Sequence, residues 1–275
     1  MSTLPYDLWT EPSSTSLQIC SAGSVIDVDT SDASNAPLGY FKRRMLGAHA
    51  RVLDGMYVIN ARQGHAKHGL LMEAGRVGLM ALLDEPTVPE RQLTTLRWSD
   101  RVTEVISRGG ALPSVSAWPG HMNELGDIGL RAALVMARVG QGASWSPKSI
   151  RNQVWASLIH GLGRTLTAQE ASTVSLETVI PLVTIFRPIP RSAYETLLYF
   201  RERLDGGGPM GIVGDALPLT AQYLGLVCWL EQECLFTQPA DRWREFFLDH
   251  RSRLSTLFRE DVVRNVAQGL EFSLD

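Results

Sequence analysis

Residues Phe41–Gly69 read FKRRMLGAHARVLDGMYVINARQGHAKHG, and the reading of this stretch sets the expected fold. Asp54-Gly55 stands between two β-prone runs, Ala50–Leu53 and Met56–Asn60, with Tyr57, Val58 and Ile59 in the second. Asp-Gly is a strong short-range hairpin signal because both central residues of a type I′ turn need positive φ. The expectation is therefore a small lobe holding a β-hairpin. A helix interrupted by glycines follows over His68–Pro86, with Leu70, Leu71, Ala74, Leu79 and Leu82 on its apolar face.

Outward from this lobe the two sides differ. Residues 1–40 are rich in Ser, Thr, Asp and Pro, with short apolar runs only at Ser16–Cys20 and Ser24–Asp29. Such a segment buries little surface on its own, and we expect an extended arm with one or two short strands. The C-terminal side is periodic. Pro89 opens a helix carrying Leu93, Leu96, Val102, Val105 and Ile106, which stops at Gly109-Gly110. Glu124–Val139 is the next helix, Ser146-Pro147 caps and opens another through Ile159, and Arg191–Gly208 reads as an amphipathic helix with a glycine stop. Leu217–Phe236 and two further helical stretches complete the chain, while the apolar run Thr173–Pro190 fits a kinked helix or a strand. The expected class is α+β with helix dominant. It comprises an acidic arm over 1–40, a basic hairpin lobe over 41–86 and a helical body over 87–275.

Composition narrows the function. A chain of 275 residues with 44% hydrophobic content buries roughly 70–75% of its unfolded surface, as a globular protein does. No stretch holds the ~18–20 uninterrupted apolar residues of a membrane span. The first residues, MSTLPYDLWTEPSS, lack the basic region and apolar core of a secretory signal. Three cysteines, Cys20, Cys228 and Cys234, suit neither a disulfide framework nor a zinc site. The expected setting is a reducing one, cytoplasmic or within a particle.

Charge is segregated. Residues 1–40 carry five acids and no Lys or Arg, whereas residues 41–76 carry Lys42, Arg43, Arg44, Arg51, Arg62, Lys67 and Arg76 against Asp54 and Glu73. The net charge of −3 for the whole chain hides this acidic arm and basic block. Tyr40, Phe41 and Tyr57 lie among the cations. Cations that neutralise phosphates, interleaved with aromatic rings that stack on bases, are the means by which proteins hold nucleic acid without reading its sequence. The expected role is a non-enzymatic nucleic-acid-binding assembly protein, nucleoprotein-like or coat-like, with RNA preferred over DNA. It would self-associate through its terminal segments, including the aromatic-rich end with Trp243, Phe246, Phe247, Leu254 and Phe258. No cofactor and no metal are expected.

Other constellations have simpler readings. His65 and His68, with Glu73 nearby, are placed in a loop and separated by Lys67, a poor setting for a metal. His121 and Glu124 can share a helix face and are the best candidates for an enzyme alternative, with His160 as a further one. The simpler reading makes Asn123 a helix cap and Glu124 and Asp127 first-turn acids. Gly206, Gly208 and Gly211 match a dinucleotide-binding pattern, but a helix precedes them and Pro209 interrupts them. That motif requires a strand before the loop and a helix after it. A protein-interaction scaffold whose basic face meets an acidic partner is the remaining alternative.

Overall fold

The computed structural model describes residues 16–21, 24–29, 64–116, 125–161 and 189–274. In the arm, β1 (Ser16–Ser21) and β2 (Ser24–Asp29) pair antiparallel, with Ser16 opposite Asp29 and Ile19 opposite Ile26. The rest of the described chain is built from helices and short 3-10 turns.

The α+β expectation fails. Among the described residues the fold is mostly helical, and those within 41–86 form no hairpin. The Asp54-Gly55 turn lies outside the described residues. The described part of that lobe is one helix, α1 (Gly64–Asp84), which begins four residues before the expected start. Its internal glycines do not divide it, because Leu71, Met72, Leu79 and Leu82 form a buried stripe along its length. His65 and His68 consequently stand within a helix and not in a loop.

The chain divides into two compact units, residues 1–101 and 102–275. In the first, the start of α2 (Pro89–Ser107) meets α1 through Trp98, whose indole Nε1 donates to the Leu71 carbonyl at 2.7 Å. Pro89 occupies the first turn of α2, where its missing N–H costs nothing. At the other end Gly109, at φ +70, turns the chain so that Gly110 N donates to Val105 O at 2.8 Å. This closure satisfies carbonyls that the helix end would otherwise leave open.

The described part of the second unit is a predominantly helical core. Helix α3 (Leu125–Gly142) is buried on nearly every face, with Leu130, Ala133, Leu134, Val135, Met136 and Ala137 each 1% exposed or less. It packs on α4 (Pro147–Ile159), α6 (Leu219–Gln232) and α9 (Glu260–Gly269). The Ser146 hydroxyl accepts from Ser149 N and caps α4, with Pro147 in its first turn. Helix α5 (Arg191–Tyr199) bridges α4 and α6 through a buried polar seam. The Thr196 hydroxyl there lies 2.7 Å from Gln153 Oε1 and 2.8 Å from Thr220 Oγ1. The last three helices are α7 (Trp243–Asp249), α8 (Arg251–Leu257) and α9. Trp243, Phe246, Phe247, Leu254 and Phe258 are all buried, so these aromatic and apolar groups are spent on the chain's own body. Among the described residues no helix is long and apolar enough to cross a membrane.

Candidate functional site

The sequence around the glycine pattern predicts a helix running to Gly208. Instead α5 ends at Tyr199 and the next residues turn inward. Glu202 is the cause. Its side chain is 1% exposed, and its carboxylate accepts from Met210 N at 2.8 Å and Ile212 N at 3.0 Å. A buried carboxylate must be supplied with donors, and here two loop amides supply them. The loop from Asp205 to Gly214 is thereby wrapped around one acid. Asp205 and Val213 form an isolated antiparallel bridge across its neck.

Glycine is needed here at specific points. A Cβ on Gly208 would stand 2.5 Å from Glu202 Cα and 2.7 Å from its carboxyl carbon. Gly206, Gly211 and Gly214 sit at φ between +64 and +79, a region that side chains disfavour. The glycines thus form a carboxylate-centred turn, in agreement with the rejection of a nucleotide-binding motif.

Next to Glu202, the Arg203 guanidinium donates to Phe200 O at 3.1 Å and Glu202 O at 2.9 Å, and lies 5.0 Å from the Phe258 ring centroid. Burial pushes its pKa down, opposed by the neighbouring acids Asp205 and Glu202. It nonetheless stays charged at any physiological pH. Gly225 of α6 allows the close approach: a Cβ there would meet Phe200 O at 2.4 Å. His160, which follows α4, meets the ring of Phe200 edge-on at 5.7 Å, and its Nδ1 lies 2.6 Å from Ser157 O. His160, Phe200, Glu202, Arg203 and Gly225 therefore converge from three elements into one buried centre.

A second buried cluster joins α3 to α6. Arg131 Nε lies 3.1 Å from Glu231 Oε1, and their side chains are 3% and 13% exposed. Arg131 also stacks over Phe236 at 4.7 Å. Burial, reinforced by the negative charge of Asp127 and opposed by Arg131, pushes the Glu231 carboxyl up to about 7. Asp127, the expected first-turn acid, does sit in the first turn of α3 but is buried.

A groove of about 420 Å³ lies among α7, α8 and α9. Phe247, Leu254 and Phe258 form its floor, and Arg251, Arg259 and Arg264 stand at its rim.

No family model matches the chain, and no curated protein matches it in sequence. A solved structure does. Bd1817, a HDG"Y"P protein from Bdellovibrio bacteriovorus, is 13% identical over 90% of this chain and 82% of its own, with a TM-score of 0.59. At that identity the likeness concerns the fold alone.

Of the residues singled out in the sequence, Tyr40, Phe41, Lys42, Arg43, Arg44, Arg51, Tyr57 and Arg62 lie outside the described residues, as do His121 and Glu124. Lys67 and Arg76 both fall within α1, and Arg76 is half-buried and already engaged by another group. Among the described residues no three His, Cys, Asp or Glu side chains come together as a metal site would need. Glu202 and Arg203 escaped the sequence reading. The available signal was a Glu-Arg pair directly before a loop rich in glycine, a place where an acid finds free amides.

Proposed function

We propose that this chain is a non-enzymatic binding protein whose basic block, Phe41–Arg76, engages a nucleic acid, with the helical body serving as its support. The observation that carries the reading is a contrast in how cations are used. In the helical body many arginines are matched to acids, among them Arg138 to Glu271, Arg191 to Glu195, Arg242 to Glu245, Arg253 to Glu233, Arg259 to Asp261 and Arg264 to Glu260. The basic block has seven cations against two acids, an excess of positive charge that the body does not share. Such an excess recruits polyanions, and Tyr40, Phe41 and Tyr57 add aromatic rings to the same stretch.

In the buried centre Glu202 is spent on loop amides and Arg203 on backbone carbonyls, which are folding roles.

The test measures binding of a labelled single-stranded RNA at several salt concentrations. Affinity falls steeply with salt, and Arg43→Glu with Arg44→Glu abolishes binding while thermal unfolding stays unchanged. Binding that survives the double substitution refutes the assignment. Self-association through residues 1–40 belongs to the same proposal, and deleting residues 1–30 then shifts the particle mass, read by light scattering, towards monomer.

A further inference from the structure

Helix α9 ends in a left-handed turn for which glutamate is an ill-suited residue. The Glu271 N–H donates to Gln268 O at 2.9 Å and the Phe272 N–H to Ala267 O at 3.2 Å. These are the paired bonds of a helix stop whose turning residue is ordinarily glycine or asparagine. Here the turning residue is Glu271, at φ +71. Its Cβ is strained in that conformation, and such strain persists only where the surroundings hold the residue in place.

What holds it is a clamp on the carboxylate. Arg138 of α3 places Nη1 2.6 Å from Glu271 Oε1, and the Ser114 hydroxyl donates to Oε2. Arg138 is itself fixed, because its Nη2 donates to Leu112 O at 3.0 Å and Pro113 O at 2.9 Å. Beyond the turn the chain runs over the groove among α7, α8 and α9. Phe272 meets Phe247 edge-on at 5.1 Å, Arg244 Nε donates to Ser273 O at 3.1 Å, and Leu274 stands in the groove lining. Glu271 and Ser273 are exposed, and Phe272 and Leu274 are half-buried. A segment with so few buried contacts belongs to the low end of local stability. We propose that Phe272–Leu274 is a lid over the groove and that Glu271 is its latch, kept shut by Arg138 and Ser114. Release of the latch swings Leu274 out and lifts Phe272 from Phe247, which is 2% exposed while the lid is closed. A plain helix stop would be better served by asparagine or glycine at 271; the latch requires the carboxylate. The lid is independent of the basic block and stands whether or not that block binds nucleic acid.

The experiment compares the isotope-labelled full chain with Glu271→Asn. Asparagine accepts the left-handed turn without the added freedom of glycine, and it removes the charge. In the wild type the backbone order parameters of Ser273 and Leu274 are near the rigid value of about 0.85, and in Glu271→Asn they fall below about 0.6. Those of α6 stay unchanged. The same variant binds anilinonaphthalene sulfonate, an apolar fluorescent anion, with several-fold higher fluorescence than the wild type. Arg138→Gln breaks the latch from the other side and gives the same two changes. Arg242→Gln, which breaks an exposed pair with Glu245, gives neither. A tail that stays rigid in Glu271→Asn overturns the proposal, because the turn is then a helix stop and nothing more. Loosening without probe binding overturns it too, since the segment then covers no apolar surface. So does probe binding accompanied by loss of order in α6, which marks general unfolding.

Discussion

Gly208 is held so close to Glu202 that a single methyl group on the glycine would overlap the glutamate's Cα and carboxyl carbon. The loop and the acid therefore specify each other: the acid needs the amides of Met210 and Ile212, and those amides reach it only because residue 208 has no side chain. Glu202→Gln tests the acid. The amide keeps one acceptor oxygen, but its NH2 group faces a second backbone donor where an acceptor is required. Charge-assisted bonds of this kind are worth about 1.5–3 kcal/mol each. We expect a loss of about 2–3 kcal/mol in denaturant unfolding, with the slope of the transition unchanged.

The loop glycines separate steric from conformational requirements. Gly211 sits at φ +65 with open space around its would-be Cβ, so Gly211→Ala carries only backbone strain, about 1 kcal/mol. Gly208→Ala collides with the backbone and side chain of Glu202 and has no room to relax, so it costs roughly 3 kcal/mol or more. Equal midpoints for the two variants in parallel thermal melts would contradict this account of the loop.

The helical body was largely legible in the sequence because its punctuation is local. Pro89, the Ser146-Pro147 pair and Gly109-Gly110 each act within one turn of where they stand, and each ends or opens a helix in the structure. What was misread depends on distant partners. Arg201, Glu202 and Arg203 have good helical propensity, yet they leave the helix because Glu202 is captured by amides eight and ten residues later. The apolar pattern places the start of α1 at His68, but the helix begins at Gly64, and burial of Leu71 and Leu79 offsets the helix cost of its glycines. The α+β assignment gave a hairpin lobe equal standing with the helices, whereas the described part of that lobe is one long helix.

Trp98 fastens α2 to α1 by a bond that the hydrophobic pattern does not reveal. Its ring is fully buried and its Nε1 donates to the Leu71 carbonyl. Trp98→Phe keeps most of the apolar burial and removes the donor and one ring. The expected destabilisation is about 2 kcal/mol, from a lost hydrogen bond and a small cavity. Amide hydrogen exchange locates the effect: protection falls in α1 around Leu71 and stays unchanged in α9.

The buried pair Arg131–Glu231 makes stability depend on pH in a direction opposite to most carboxylates. The Glu231 carboxyl, ordinarily near 4.5, is pushed up to about 7 by burial, with the charge of Asp127 adding to the effect and Arg131 opposing it. Between these two values the folded chain holds a proton on Glu231 that the unfolded chain has already released. Stability from this group is thus fully present below pH 4.5, declines as pH rises and is lost once pH passes about 7. The integrated change is on the order of 3 kcal/mol, since one pH unit of difference corresponds to about 1.4 kcal/mol. Glu231→Gln removes the titration while leaving Arg131 without its carboxylate, so the variant is less stable near neutral pH. The informative quantity is the slope. Wild-type unfolding free energy minus that of Glu231→Gln, measured by urea denaturation at intervals from pH 4.5 to 8, falls as pH rises through this window. A difference that stays flat, or that grows with pH, would mean that Arg131 holds Glu231 ionised throughout and that the ion pair outweighs its burial.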